Sequence, residues 1–425
     1  MAAAVEEFAR SGFDAASTNR IAASAGVSKG LVFRHFGSKE GLLEAALAHS
    51  CERVCAAEMT PLPRDPFLRL EEFLVRRASV LAQHPWHARV VAQFRGRRYS
   101  VMSAPARRID EAYARLRKAL REDADKSVFR SGVDPRLALD LLVLVADAFE
   151  GQLLDALRAL SAAGAGDRDL PAGAGAEVVR QRAQGLVELL RGGIYRPGVT
   201  VEAQPVPLNP EDFIALSRQL APVERAADQR RDRVLRCAQE MFVEYGYDGV
   251  SIEAIAAKAG VAKGLVFHHF GSKPGLYLAA VGDAIERVSA MFFEQEAATE
   301  PELFQRLLTW TRRKMCIFQQ EPILYRLVLG AFSDPPPPVR EAVARYMTEG
   351  THRGWALILE GIDTTPLRPG VQLDLAVELV TLVVNAMADR MMADLANEPD
   401  QGLGRLPHIV DQTAAYLTLL RDGLG

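Results

Sequence analysis

The chain has 425 residues, 49% hydrophobic and 25% charged, with 51 Lys+Arg against 54 Asp+Glu. At about 100 to 200 residues per domain, this length predicts two to four domains with ordinary buried cores and excludes disordered and collagen-like classes. A net charge of −3 excludes a wholesale polycation, so any affinity for polyanions has to come from a local basic face.

The opening MAAAVEEFAR places acids where a secretory signal carries basic residues, so export is not expected. From Ser17 the pattern is helix, tight turn, helix. Ser17 caps a first helix whose buried face is Ile21, Ala22 and Ala25. The turn is Ala25-Gly26-Val27, with glycine free to take a positive φ and valine plugging the angle between the helices. A second helix from Ser28 to near Phe36 is too short to be stable alone and relies on Val32, Phe36 and Leu42 for packing. Between Arg20 and Lys39 stand four basic residues and no acid.

Further along, Phe67, Leu70, Phe73 and Leu74 have helical spacing. His84 and His87 read as surface or turn residues, and the run Arg95-Gly96-Arg97-Arg98 as a solvated helix face. The most apolar stretch, Leu137 to Phe149, is broken by Asp140 and Asp147, so no membrane span is expected. Segment 161–176 is rich in Gly and Ala and reads as a loop; the prolines between 196 and 227 mark a linker, with a short helix expected from Glu211.

The second half repeats the first. Residues 12–42 and 246–276 are identical at 21 of 31 positions. GVDPRLALDLL from Gly132 matches GVQLDLAVELV from Gly370, and ELLRGG from Glu188 matches TLLRDG from Thr418. Each half is one copy of a domain pair. Ser251, Ile255, Ala256 and Ala259 take the first-helix roles, and Lys258, Lys263, Lys273, His268 and His269 form a basic stretch with no acid between Glu253 and Asp283. A basic face on a near-neutral chain is the footprint of phosphate contact. The expected layout is all-α: 1–50 and 228–285 as helix-turn-helix domains, 51–195 and 286–425 as larger helical domains, and 196–227 as linker.

SKGLVFRHFGSKEGLL and AKGLVFHHFGSKPGLY resemble the helix-turn-helix signature of the TetR family of bacterial transcriptional repressors. The resemblance implies double-stranded DNA as partner, with Ser17 and Ser251 as phosphate contacts. It also implies Lys29, Gly30, Lys263 and Gly264 in the major groove, and His35, Lys39, His269 and Lys273 on the backbone. Arg34 and His268 hold the variable, base-reading position, and arginine can read guanine with two hydrogen bonds. Leu31, Phe33, Leu265 and Phe267 replace residues that often carry hydroxyls in the family; the leucines can touch a thymine methyl instead. Ala262 replaces the Ser28 cap, at a cost of about 0.5 to 2 kcal/mol.

The resemblance further implies that 51–195 and 286–425 are helical regulatory, ligand-binding and dimerisation domains of a repressor answering to a small apolar inducer, with the eighth and ninth helices of both halves forming an intramolecular pseudo-dimer interface, or a homodimer. A linker of about 32 residues spans roughly 30 Å, enough to join the halves. The first copy lacks the basic approach that Asp228 to Phe242 gives the second, so either the first unit binds DNA more weakly or translation starts upstream of Met1, the second being the favoured expectation.

Cys51, Cys55, Cys237 and Cys316 are too few for a disulfide framework and fit a reduced, cytoplasmic setting, nucleoid-associated when DNA is bound. Cys51 and Cys55 with His49 read as core residues and not as a zinc site. Trp86, Trp310, Trp355, Met315, Phe318 and Met347 read either as core or as the lining of an apolar ligand cavity. No catalytic constellation, cofactor or metal spacing appears, so an enzyme is not expected. The alternative from another class is a helical scaffold whose helix-turn-helix units serve only packing.

Overall fold

The computed structural model describes residues 1–55, 61–94, 103–162, 174–198, 206–207, 229–293, 298–333, 335–397 and 399–425. The Arg95–Arg98 run, residues 163–173 of the Gly/Ala-rich segment and the expected helix from Glu211 lie outside them. Two compact units form: Met1–Pro197 with Leu367–Asp389 and Thr418–Gly425, and Gly198–Pro366 with Arg390–Leu417. Both are helical. Among the described residues, extended pairing is confined to Val206–Pro207 against Ala298–Thr299 and one bridge between Tyr195 and Leu367.

The first unit contains α1 (Ala2–Ala15), α2 (Thr18–Ser24), α3 (Lys29–Phe36), α4 (Lys39–Cys55), α5 (Pro66–Gln83), α6 (Pro85–Phe94), α7 (Ser103–Arg121), α8 (Pro135–Ala162) and α9 (Ala174–Gly192). Asp65 starts α5 by accepting the Phe67 and Leu68 N–H groups at 2.8 and 3.2 Å, with Pro66 at the first helical position, where its missing N–H costs nothing. The stripe Phe67, Leu70, Phe73, Leu74, Arg77, Val80 and Leu81 then turns inward, and α5 packs against α7, α8 and α9.

Arg77 stands in the middle of that stripe, fully buried. It donates two hydrogen bonds to Glu150, Nη2–Oε1 at 2.5 Å and Nε–Oε2 at 3.0 Å, and a third to the Val54 carbonyl. The Tyr113 hydroxyl donates to the same carboxylate at 2.5 Å. A buried pair of this kind persists only because each polar edge is met.

His87 departs from its expected surface position. It is half-buried, with Nδ1 3.1 Å from the Ser50 hydroxyl and its ring edge-on to His49 at 5.2 Å. Burial, with His49, His84 and Arg53 adding like charge, brings its pKa from 6.5 down to about 4.

The carboxyl end of the chain completes this unit through Leu367–Asp389 and Thr418–Gly425, which carry the first part of α17 (Leu373–Asn397) and the last turn of α18 (Pro399–Asp422). Here the two copies meet through reciprocal bonds. Ile194 N–H donates to Leu420 O at 3.0 Å, and Leu424 N–H to Leu190 O at 2.9 Å. Tyr195 N–H donates to Arg421 O and Gly425 N–H to Arg191 O, both at 2.9 Å. Arg130 and Arg368 each donate a backbone N–H at 2.9 Å, to Leu424 O and Ile194 O. Their Nε atoms reach Gly423 O and Gly193 O at 2.8 and 3.1 Å.

Every bond thus has its counterpart with the copies exchanged, the signature of an isologous contact. Gly193 and Gly423 make it possible: a Cβ on either would stand 2.6 or 2.5 Å from the other's backbone nitrogen. Arg182 of α9 adds an ion pair to Glu378 of α17 at 2.5 Å.

The second unit contains α10 (Gln229–Tyr245), α11 (Ile252–Ala259), α12 (Lys263–Phe270), α13 (Lys273–Phe293), α14 (Leu303–Gln320), α15 (Pro322–Ser333) and α16 (Arg340–Leu359), with the remainder of α17 and α18. α10 and α13 pack on each other and on α15 around Leu235, Phe242, Ile255, Val266, Leu276 and Ile285. Glu302 caps α14 as Asp65 caps α5. Arg306 repeats the position of Arg69: each is buried and spends its guanidinium on backbone carbonyls, Pro63, Ala119 and Glu122 for Arg69, and Glu300, Ile358 and Glu360 for Arg306. Trp310, Met315 and Phe318 are buried, while Trp86, Trp355 and Met347 are half-buried.

Candidate nucleic-acid interface

In the first copy, Ser17 Oγ accepts the Arg20 N–H at 3.4 Å and starts α2; in the second, Ser251 Oγ accepts the Ala254 N–H at 3.1 Å and starts α11. Both turn glycines take the expected positive φ, 66° at Gly26 and 64° at Gly260. The flanks differ. α11 runs through Ala259, which is buried, and Val261 packs on the core. α2 ends at Ser24, so Ala25 is solvent-facing and Val27 is 38% exposed, correcting their expected burial. The earlier stop of α2 turns both side chains away from the helix corner.

α3 and α12 present the same face. Lys29, Gly30, Leu31, Phe33, Arg34 and His35 are exposed on α3, with Val32 its buried anchor. On α12, Lys263, Gly264, Phe267 and His268 are exposed, Leu265 and His269 half-buried, and Val266 and Phe270 buried. Ser28 Oγ accepts the Leu31 N–H at 3.2 Å; Ala262 provides no side-chain cap, as expected.

Each of the four lysines lies over an aromatic ring: Lys29 over Phe33 at 5.7 Å, Lys263 over Phe267 at 5.4 Å, Lys39 over Phe13 at 4.7 Å and Lys273 over Tyr247 at 4.4 Å. Such contacts contribute about 0.5 to 1 kcal/mol at exposed sites and hold the ammonium in place. Phe13 and Tyr247 escape a motif search, although their aligned places in GFD and GYD are a usable signal. Ser38 and Ser272 are likewise overlooked. They cap α4 and α13, accepting the Gly41 and Gly275 N–H groups at 3.1 Å. Lys39 and Lys273 follow in the first helical turn, where the helix dipole favours anions. A cation fixed at a helix start suits an anion arriving from outside.

Nearby acids already claim part of this charge. Arg20 pairs with Glu7 at 2.5 Å. Burial pushes Glu7 up, but the hydrogen bonds from Arg20, the Ser17 N–H and Ser11 outweigh it and hold the carboxyl below its usual range. In the second copy Lys258 pairs with Glu240 at 2.8 Å, and Lys263 pairs with Glu253. The Lys263 hydrogen bond keeps Glu253 below its usual pKa. The acid-free stretch in the sequence is therefore not an acid-free surface, because Glu253 lies one helix away from Lys263.

Among the described residues no group of three or more His, Cys, Asp or Glu side chains is placed to hold a metal, and no helix is long and apolar enough to cross a membrane.

Two tandem helix-turn-helix modules, each followed by a helical bundle, define the class of protein. The sequence profile described as "Bacterial regulatory proteins, tetR family" matches residues 1–46 and 234–280. Both helix-turn-helix modules of the chain thus match that family's amino-terminal model. The HTH-type transcriptional activator FasR of Mycolicibacterium smegmatis is 32% identical over 101 residues, 24% of this chain and 46% of that protein. The HTH-type transcriptional repressor AcnR of Corynebacterium glutamicum is 33% identical over 64 residues, 15% and 34% respectively. A crystal structure of a tetR family transcription regulator from Shewanella sp. PV-4 aligns over 46% of this chain and 98% of its own, with 19% identity and a TM-score of 0.33. The chain spans about half or less of the length of these curated relatives.

Proposed function

We propose that the chain is a sequence-specific, DNA-binding transcriptional regulator, a ligand-responsive repressor that acts as a single-chain pseudo-dimer on an imperfect palindrome. The observation that carries this is the paired surface: Lys29, Arg34 and His35 on α3, and Lys263 and His268 on α12, are exposed in matching positions. Lys39 and Lys273 begin the following helices. Lysines and helix N-termini position phosphates, and Arg34 and His268 read base edges. Because those two side chains differ, the half-sites differ where they touch.

The pseudo-dimer reading is supported by the reciprocal bonds around Gly193 and Gly423, which use both copies of one chain where a two-fold dimer would use two chains. Recognition helices of two-fold dimers enter major grooves about 34 to 36 Å apart. A small apolar ligand binding a regulatory domain more tightly in the DNA-incompetent state lowers DNA affinity by that differential free energy. The domain divisions expected above, 1–50, 51–195, 196–227, 228–285 and 286–425, belong to the same proposal.

Selecting random duplexes with the purified chain, then sizing the complex by light scattering, tests the reading. The expected result is one chain on a site with two unlike halves. Failure to retain any duplex at low ionic strength removes DNA binding, and two chains per site removes the pseudo-dimer.

A further inference from the structure

One recognition-helix lysine meets a carboxylate from the preceding helix, and at the aligned place the other copy has an amide. α12 starts at Lys263, whose ammonium pairs with the Glu253 carboxylate of α11 and lies over the Phe267 ring at 5.4 Å. α3 starts at Lys29, which lies over Phe33 at 5.7 Å in the same way. The residue aligned with Glu253 is the exposed Asn19, and α2 holds no acid. Cap, turn glycine and ring contact recur in both corners, so the carboxylate is what separates the two lysines.

The pair is better held than an ordinary surface pair. Glu253 stands in the first turn of α11, where the helix dipole favours an acid, and Ser251 fixes that turn by accepting the Ala254 N–H at 3.1 Å. Phe267 restrains the ammonium on the other helix. Both side chains nevertheless face solvent, 52% exposed for Lys263 and 58% for Glu253, so a phosphate can reach them. To Lys263 the carboxylate already offers what a phosphate oxygen would, a charged acceptor. A duplex that takes the ammonium from Glu253 then stands beside a freed charge of its own sign. α10 supplies the same module with Arg233 and Arg236, both exposed, which attract any duplex; Glu253 weakens contact through α12 alone.

We propose that Glu253 is a built-in competitor for DNA phosphate at Lys263, so that the second recognition helix engages a duplex only by exchanging this carboxylate for phosphate, whereas Lys29 engages directly. This rests on the DNA-binding reading given above and adds to it an autoinhibitory contact confined to one of the two modules.

The test titrates the full chain against a labelled mixed-sequence duplex of about four helical turns, by fluorescence anisotropy at about 50 and 200 mM salt. Glu253→Gln should tighten binding about two- to fivefold at the lower salt, the equivalent of one exposed ion pair. It should also steepen the fall of log K with log salt by up to about one, as one more phosphate is neutralised. Asn19→Glu, which transplants the acid to the first copy, should do the reverse. Lys29→Gln should weaken binding more than Lys263→Gln in the parent chain, and the two should cost alike once Glu253→Gln is present. Asp248→Asn removes another exposed acid of the same module, reports the effect of net charge alone, and should fall short of Glu253→Gln.

A gain from Glu253→Gln no larger than that from Asp248→Asn, or equal losses at Lys29 and Lys263 in the parent chain, overturns the competitor role. Weaker binding by Glu253→Gln makes the carboxylate a DNA contact and overturns it too. In each of these cases the chain still binds DNA and that reading stands. If neither the parent nor any variant binds the duplex at low salt, the DNA-binding reading falls and the competitor role with it.

Discussion

The two amino-terminal modules share most of their sequence and differ in how they are held. The first has a capped recognition helix, through Ser28, but a looser corner, with Ala25 and Val27 facing solvent. The second has no such cap at Ala262 but buries Ala259 and packs Val261. The helical domains that follow diverge further. The first closes its central stripe with Arg77, Glu150 and Tyr113, whereas the second carries an exposed Lys314 at the position aligned with Arg77 and Ala388 at the one aligned with Glu150. Duplication preserved the surface that faces outward and let the interiors separate. Selection on a shared task acts on exposed lysines, whereas a core tolerates any arrangement in which polar groups are met or put to use.

The sharpest test of that contrast is Arg77→Met, which leaves Glu150 buried without its partner. Loss of one member of such a pair is expected to cost about 3 to 5 kcal/mol in chemical denaturation. Lys314, at the aligned position, is exposed, so Lys314→Met should change stability by no more than about 0.5 kcal/mol. Equal losses in the two variants would abolish the distinction between closed and open stripes.

Gly193→Ala and Gly423→Ala drive a methyl into the opposing backbone. Because their surroundings are reciprocal, both should lower the thermal midpoint to a similar extent, by more than about 1 kcal/mol each, since alanine is incompatible with a positive φ. A large effect from one and none from the other would break the symmetry of the junction.

Acid should find the first copy before the second. An unfolded His87 takes a proton as pH falls through about 6.5, while the folded one stays neutral until about 4. The unfolded state then binds more protons, and stability declines between those values. The aligned residue in the second copy is Leu324, which is buried. Urea midpoints at pH 7 and pH 5 should converge in His87→Leu.

The smallest expected effect is at the recognition helix. Ala262→Ser should slow amide exchange in α12 by the equivalent of about 0.5 to 2 kcal/mol, and Ser28→Ala should speed it in α3 by the same amount.

Much of this was legible in the sequence, because the repeat aligns each turn glycine, cap and lysine with its twin. Helix spacing revealed the inward stripe of α5. Charge counting was less reliable: the run from Ala254 to Gly282 lacks acids, yet Glu253 and Glu240 reach Lys263 and Lys258 from neighbouring helices. Linear distance does not report proximity around a helical corner. Buried arginines were also invisible. Arg69, Arg77 and Arg306 look like surface residues until packing brings each of them acceptors from more than twenty positions away, as at Ala119, Val54, Glu150 and Ile358. His87 was misread for the same reason, its neighbours His49 and Ser50 lying far back in the chain.

The seam around Gly193 and Gly423 has an evolutionary implication. In a homodimer any substitution at the two-fold axis occurs twice, so a change helpful on one side is imposed on the other. Here each partner of a bond is encoded separately. Gly192 lies against Arg368, whereas its counterpart Asp422 stands 3.8 Å from Arg130. Covalent fusion lets two halves that meet as equals change independently at every bond they share.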